Sequence, residues 1–415
     1  FDNLDKLTNV IKDNDILDVT SDVKWIGVRD WDIEVFDIVM RTEYGTTYNS
    51  YFINAEKKAV VELAKEKFSG VYIEKLKRVV DPLQLDYIIM DHTEPDHSGA
   101  IRELLKIAPQ VTVVGSGNAI RYLSDIVNKP FRSLVVKDGD TLSLGNKTLK
   151  FISAPNLHWP DTIYTYLEED RILFTCDSFG AHYCSEEMFD DLAGNYDDAF
   201  KYYFDTILRP YSRFMLKAIE KIRPLDIKTI APGHGPVLRK DWKRYVDLSE
   251  KYATDYVKII TEKPLKKILV TYVSAYGYTR EMARLIAEGA EAVNGVEVEL
   301  MNIEMAEVGE MDSKLTVADG IIVGSPTINQ NTLLPVYKLA AMISPLRDKG
   351  KLAGTFGSYG WSGEAPKIIA EILKSLKLKM FEEPAAHKFV PESGKGTSLT
   401  DYGRRFAEAL LTEEG

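Results

Sequence analysis

The sequence predicts a mixed α+β and α/β chain in two parts. Residues 1–260 form a sandwich of two β-sheets with helices outside, and residues 265–415 form a doubly wound parallel sheet. Three observations carry this prediction. At 415 residues the chain is long enough for two or three domains, each with its own core. Up to residue 260 the strand-like runs come in two groups with helices after each. Beyond a linker at Thr261-Glu262-Lys263-Pro264, strand and helix alternate regularly for about 150 residues.

In the first part, residues 34–40 (EVFDIVM) and 47–53 (TYNSYFI) read as strands joined by a turn at Gly45, and residues 58–63 as a third strand. Phe68, Tyr72, Leu76 and Val79 recur on one helical face, which Asp81-Pro82 ends. Tyr87, Ile88, Ile89 and Met90 make a buried strand, after which Ser98 is expected to cap a helix through Leu104 and Leu105. A strand at 111–116, a helix from Asn118 to Val127 and short strands from 134 to 152 follow. A hairpin then delivers Asp177, a long helix from Asp197 to Ile222 breaks at Pro210, and a strand at 227–232 leads to Gly233-His234-Gly235-Pro236. In the second part the strands are 266–273, 296–303, 320–327, 352–361 and 380–386, separated by amphipathic helices.

Composition narrows the function. Hydrophobic content of 45 % and charged content of 28 % are those of an ordinary globular protein. A net charge of −11 argues against non-specific nucleic-acid binding, which needs a basic face. No apolar run reaches the eighteen or so residues of a membrane span. The only two cysteines, Cys176 and Cys184, exclude a four-cysteine metal site or a rubredoxin-type module within these residues; they read as packed thiols in a reducing, cytoplasmic setting.

The chemistry concentrates where the strand 85–90 ends. His92, Glu94, Asp96 and His97 crowd into six residues around Pro95. A solvated loop would favour Lys, Ser and Gly, and a core would exclude the carboxylates, so the simplest reading is a metal site. His158, Asp177 and His234 each follow an apolar strand, at the sandwich edge where loops gather. Taken alone, His158 beside Trp159-Pro160 or His234 in its glycine loop is more often a turn residue than a ligand. The cluster at 92–97 needs partners, and these histidines can supply them. Four imidazoles and three carboxylates exceed one tetrahedral zinc and suit two metals, with Asp177 the candidate bridge. His182 is a candidate outer hydrogen-bond donor.

The spacing resembles the metallo-β-lactamase superfamily, whose loop reads H-x-H-x-D-H, except that Glu94 stands at the second histidine. A carboxylate there hardens the site and favours iron over zinc. H-x-E-x-D-H, followed by H, D and H and then a flavodoxin-like part, resembles the flavodiiron proteins (A-type flavoproteins) over nearly the whole chain. The resemblance implies one iron held by His92, Glu94 and His158, a second by Asp96, His97 and His234, and Asp177 bridging. In some members the residue matching His97 is not a ligand.

Three loops at successive strand ends of the second part would meet at the switch point of its sheet. Ser274-Ala275-Tyr276-Gly277-Tyr278-Thr279 offers hydroxyls and backbone N–H groups to a phosphate at a helix N-terminus. Neither G-x-x-x-x-G-K nor G-x-G-x-x-G is present, which disfavours ATP, GTP and dinucleotides. Ser325-Pro326-Thr327-Ile328-Asn329-Gln330 and Ser358-Tyr359-Gly360-Trp361-Ser362-Gly363 would flank a flat ring. Together the loops resemble the FMN site of flavodoxins.

The resemblance implies reduction of O2 to water, of NO to N2O, or of both. Two Fe(II) and one reduced FMN hold four electrons, enough for O2 to reach two waters. It also implies a substrate-facing role for Tyr196, a head-to-tail homodimer or a dimer of dimers, and electrons from a rubredoxin-like protein, another reductase or a reduced deazaflavin coenzyme. The rival readings are a zinc hydrolase with an accessory flavodoxin domain and a non-catalytic FMN sensor or electron carrier.

Overall fold

The computed structural model describes residues 15–36, 40–390 and 396–412. The chain divides into two compact units, Phe1–Val257 and Lys258–Gly415. Among the described residues no helix is long and apolar enough to cross a membrane.

The first unit is the expected sandwich. One sheet of seven strands runs in the order Leu17–Asp18, Val23–Trp25, Tyr51–Ile53, Lys58–Val61, Leu85–Met90, Thr112–Gly115, Arg132–Val135. The other has five, Thr141–Ser143, Thr148–Ser153, Ile163–Leu167, Ile172–Cys176 and Thr229–Pro232. Side chains alternate across the first sheet as its pleat requires. Val61, Ile89 and Val114 point between the sheets with Phe151, Ile163 and Phe174. Val60, Ile88 and Val113 point outward onto the cluster that includes Leu76, Ile101 and Leu104 from the covering helices. Both faces are thus buried at the end of the strand that meets the site, which is why residues 87–90 read as an unbroken apolar run.

Several expectations need correction. Residues 34–40 are not one strand: Val35–Phe36 and Met40–Arg41 pair antiparallel with each other, and 37–39 lie outside the described residues. Residues 47–53 are also split. Thr46–Tyr48 pairs with Val28–Asp30, whereas Tyr51–Ile53 joins the seven-stranded sheet. The corner between them is made by buried Asn49, whose amide donates to the carbonyls of Pro232 and Gly235 and whose oxygen accepts from the Trp25 indole. Those long-range bonds outweigh the local strand pattern. Ser98 is not a cap. It ends a short helix, Pro95–Ser98, and its hydroxyl donates to the carbonyls of Thr93 and Glu94. Ile101–Ile107 is a separate helix. The break near Pro210 takes the form of a π-helical turn at Phe204–Leu208 and a 3-10 turn at Arg209–Tyr211.

The second unit is an all-parallel sheet ordered Val296–Asn302, Lys266–Tyr272, Gly320–Gly324, Leu352–Tyr359, with Lys379–Met380 and Ala385–Lys388 both pairing with the last. This is the doubly wound order, with its switch point between the strands 266–272 and 320–324. A helix, Val308–Val317, occupies a stretch where the sequence showed no clear pattern. One core cluster lies on each face of the sheet.

On one face the helices Tyr278–Glu291 and Gly396–Thr412 approach backbone to backbone. A Cβ on Gly289 would stand 1.8 Å from the Thr400 carbonyl oxygen, and one on Gly403 would stand 1.9 Å from that of Ile286. Only hydrogen fits at either place. Gly403→Ala is therefore expected to destabilise this unit by about 1–3 kcal/mol through overpacking, read as a lowered melting temperature. The same change at exposed Gly309, where a Cβ meets nothing within 4 Å, provides the control.

Candidate metal and flavin sites

The seven predicted ligands converge at one edge of the sandwich. His92 Nε2 lies 3.3 Å from Glu94 Oε2 and 3.5 Å from Asp177 Oδ2. His158 Nε2 lies 2.9 Å from the same Glu94 oxygen and 3.5 Å from the same Asp177 oxygen. These four donor atoms all fall within 4.8 Å of one another, as do those of Asp96, His97 and His234. Asp177 reaches the second group through its other oxygen, with Oδ1 3.1 Å from His97 Nε2 and 3.5 Å from His234 Nε2. His234 Nε2 is 3.1 Å from Asp96 Oδ2. Two donor sets sharing one carboxylate result.

The electrostatics fit cations. Burial alone would raise Glu94, but hydrogen bonds from His158 and His92 hold it down at about 2. Burial likewise opposes ionisation of Asp96 and Asp177, yet the neighbouring imidazoles keep both carboxyls below their usual range. Burial would strip protons from His92 and His97, and the surrounding carboxylates instead raise both above the usual imidazole value. Asp96 Oδ1 and Asp177 Oδ2 are buried without a hydrogen-bond partner. Buried anions with unsatisfied oxygens, interleaved with imidazoles, are what a pair of metal ions would complete. Three carboxylates in the set suit iron better than zinc.

Four residues outside the predicted set shape the centre. Asp161 Oδ2 lies 3.2 Å from His92 Nδ1 and accepts from the Thr93 backbone and hydroxyl. Tyr203 donates its hydroxyl to Asp177 Oδ1 at 3.1 Å. The Thr47 carbonyl is 2.6 Å from His234 Nδ1. Glu62 receives the backbone N–H groups of Asp91 and His92. Asp161 was visible beside His158 in NLHWPDT, and the signal for Glu62 was a lone acid inside the apolar run AVVELA. His182 sits next to the second donor set, its ring 4.9 Å from that of His234 and its Nδ1 2.7 Å from the Thr46 hydroxyl. Burial and His234 hold it well below the usual imidazole value, so it is neutral. It also lines a cavity of about 880 Å³ with Arg41, Tyr44, Asp198 and Tyr202. Tyr196 is buried, stacked on Tyr183 and Tyr245 at centroid distances of 5.0 and 5.3 Å. Cys176 and Cys184 are both buried, and neither is in a disulfide.

The three predicted flavin loops come together at the carboxyl ends of the strands 266–272, 320–324 and 352–359. Thr279 and Ser358 hydroxyls are 2.8 Å apart, and the Thr327 N–H donates to the Ser358 carbonyl. Ser274 Oγ accepts from the N–H groups of Gly277 and Arg280, closing the first loop over the start of the helix Tyr278–Glu291. Gly277 has φ 88, which a residue with a side chain would resist. In the second loop the Ser325 hydroxyl donates to the Pro326 carbonyl, and Ile328 pairs with Asn331 across left-handed Asn329 and Gln330. In the third, Cβ atoms on Gly360 and Gly363 would meet Phe389 and Tyr359 at 3.3 and 3.2 Å, while Ser362 is half-buried. Tyr276 and Trp361 are 82 % and 77 % exposed, two aromatic rings left without cover beside a helix N-terminus. Phosphate on the helix and a planar ring between aromatics is the chemistry this arrangement offers.

In the metal-free protein His92 and His97 keep protons above the usual imidazole range, and metal ions must displace them. Apparent metal affinity is expected to rise with pH until both have lost their protons. Binding is expected to release protons at neutral pH, measurable by calorimetry in buffers of different ionisation enthalpy.

The chain matches two family descriptions, an ODP family beta lactamase over residues 46–235 and a flavodoxin over residues 270–401. It is 38 % identical to the flavo-diiron protein FprA2 of Clostridium acetobutylicum, across 93 % of this chain and 97 % of that one. It is 37 % identical to the type A flavoprotein of Rhodobacter capsulatus, across 94 % and 91 %. Among solved structures it is similar to the rubredoxin oxygen:oxidoreductase of Desulfovibrio gigas, with a TM-score of 0.69 and 29 % identity over 96 % of this chain and 99 % of that one. The flavodiiron protein of Giardia intestinalis gives 0.64 and 27 %, over 96 % and 97 %. Family members are oxidoreductases that use FMN and a diiron site. Two donor sets joined through Asp177, a flavin-shaped loop cluster and near full-length identity above 30 % agree: the chain belongs to the flavodiiron protein family.

Proposed function

We propose that this protein reduces O2 to water, NO to N2O, or both, at a diiron centre supplied with electrons by FMN. The observation that carries the reading is Glu94, a carboxylate within reach of two imidazoles in a donor set that shares Asp177 with a second. His92, Glu94 and His158 would hold one iron, Asp96, His97 and His234 the other, with Asp177 between them. Two ferrous ions and one reduced FMN supply four electrons, the number that takes O2 to two waters and twice the number that takes two NO to N2O and water.

The chain's own residues set the conditions for that chemistry. Ser274, Tyr276, Gly277, Tyr278 and Thr279 would bind the FMN phosphate end, and the loops 325–330 and 358–363 would flank its ring. Burial of His92, Asp96, His97, Asp177 and His234 strengthens the charge interactions among them, while Glu94 and His158 stay partly exposed. A tyrosine hydroxyl supplies a hydrogen bond to the substrate. This role was assigned to Tyr196 by resemblance, while Tyr203 holds the hydroxyl bonded to Asp177. Tyr196→Phe and Tyr203→Phe separate the two: turnover of both gases unchanged in Tyr196→Phe removes it from the mechanism.

Further parts of the reading concern partners. The Desulfovibrio gigas relative is named for rubredoxin, and a rubredoxin-like protein, another reductase or a reduced deazaflavin coenzyme is the proposed donor. A head-to-tail homodimer, or a dimer of dimers, would set the flavin of one subunit against the irons of the other. A fully active monomer would refute that arrangement. A cytoplasmic location accords with two free thiols.

The test is metal and flavin content of anaerobically purified protein, followed by O2 and NO consumption with reduced FMN. Two irons and one FMN per chain with turnover of either gas are expected. Two zincs, taken up with iron available, would support hydrolysis instead, and FMN without metal an electron carrier. Asp177→Asn is expected to lower turnover by more than about 100-fold, beyond the 10–100-fold loss typical of outer partners. Iron added to metal-free protein at a thousand times its dissociation constant is expected to stabilise the first unit by about 4 kcal/mol for each site filled, read as a raised melting temperature.

A further inference from the structure

Glu62 follows the strand Lys58–Val61 in a left-handed conformation, φ 56, which a glutamate adopts at a cost. Its residue is 2 % exposed. Oε1 is occupied, accepting from the backbone N–H groups of Asp91 at 2.6 Å and His92 at 3.0 Å. The neighbouring backbone is pinned as well, since Leu63 N–H donates to the His97 carbonyl and Ala100 N–H to that of Ala64. Oε2 has no hydrogen-bond partner and lies 3.4 Å from His97 Nδ1. The opposite nitrogen of that ring, Nε2, faces Asp177 Oδ1 and Asp96 Oδ2 at 3.1 and 3.5 Å. The other atom beside Nδ1 is Cys176 Sγ at 3.6 Å, a weak acceptor. At the first donor set Asp161 stands in the same relation to His92: Oδ2 is 3.2 Å from Nδ1 while Nε2 faces Glu94 and Asp177.

We propose that Glu62 is the positioning residue of the second metal position: its free carboxylate oxygen keeps the His97 proton on Nδ1 and so presents Nε2 as a ligand. The proposal rests on the diiron reading above. Burial pushes the Glu62 carboxyl above the usual carboxylate range, and His92 with the two backbone N–H groups pulls it back; in its ionised form it accepts hydrogen bonds and donates none, so it selects the tautomer whose Nδ1 carries hydrogen and whose Nε2 lone pair is free. An amide in its place turns a donor toward Nδ1 and selects the opposite tautomer. Glu62→Gln keeps the side chain's size and its acceptor for Asp91 and His92, so it challenges the tautomer while preserving the loop. His97 is thus a ligand because a residue thirty-five positions upstream, just past the strand Lys58–Val61, makes it one.

The experiment titrates metal-free wild type and Glu62→Gln with Fe(II) under anaerobic conditions, following stoichiometry, affinity and the Mössbauer spectrum. Wild type is expected to bind two irons per chain. Glu62→Gln is expected to bind one as tightly as wild type and the other about 10–100-fold more weakly, with the spectrum of a single iron type at low loading. Wild type binding two and the variant binding two with unchanged affinity overturns the role of Glu62 alone. Wild type binding fewer than two overturns the diiron reading beneath it. Should the variant fail to fold, NMR of histidine-labelled, Zn(II)-loaded wild type supplies the second measurement. A proton on His97 Nδ1 is expected, and a proton on Nε2 overturns the proposal.

Discussion

The first unit depends on packing ionisable groups without water at one end of a sandwich. At an effective dielectric of about 20, two unit charges 4 Å apart interact by about 4 kcal/mol, a large part of a domain's whole stability. A cluster of carboxylates alone would be untenable there. Interleaving each carboxylate with imidazoles turns repulsion into attraction: Asp177 faces His92, His97, His158 and His234. The sheets supply this order because their strands end together: the end of the strand 85–90 releases four donors and three other strand ends release one each. Asn49, Tyr203, Asp161 and Glu62 then bind the ends to one another.

Much of this was legible in the sequence because it is local. Period-2 and period-3.6 apolar patterns located most strands and helices, and the linker marked the change of architecture. The ligands were legible because a metal loop breaks the ordinary rule that buried residues are apolar. Misreadings fall where distant contacts govern. Residues 47–53 look like one strand until Asn49 is bonded to a loop nearly two hundred positions away. Ser98 looks like a cap, but its hydroxyl turns back to Thr93 and Glu94 because the metal loop winds into its own helical turn. The helix at Val308–Val317 lacks a strong amphipathic pattern, and Gly309 dilutes the signal further. Glu62 could not be assigned from its neighbours, since only the fold brings it to His97.

The two units solve different problems with the same device. In the first, side chains from strand ends crowd inward into two donor sets. In the second, loops from strand ends stay open and offer backbone N–H groups, hydroxyls and exposed rings to a larger, flatter guest. Thr279 and Thr327 join the three loops through Ser358, so the cradle is set by the sheet order rather than by any single motif. That explains why the loop 274–279 carries more information with its two companions than alone.

The interlocked glycines bear on the order in which the protein is made. The helix Gly396–Thr412 places Leu399, Tyr402, Phe406 and Leu410 in the same core as Ile268, Val270 and Met282. Synthesis delivers the sandwich complete while that core still lacks one wall. The core of the flavin unit is complete only once the helix Gly396–Thr412 has packed onto it, so the wall that closes this core is made from the last helix of the unit.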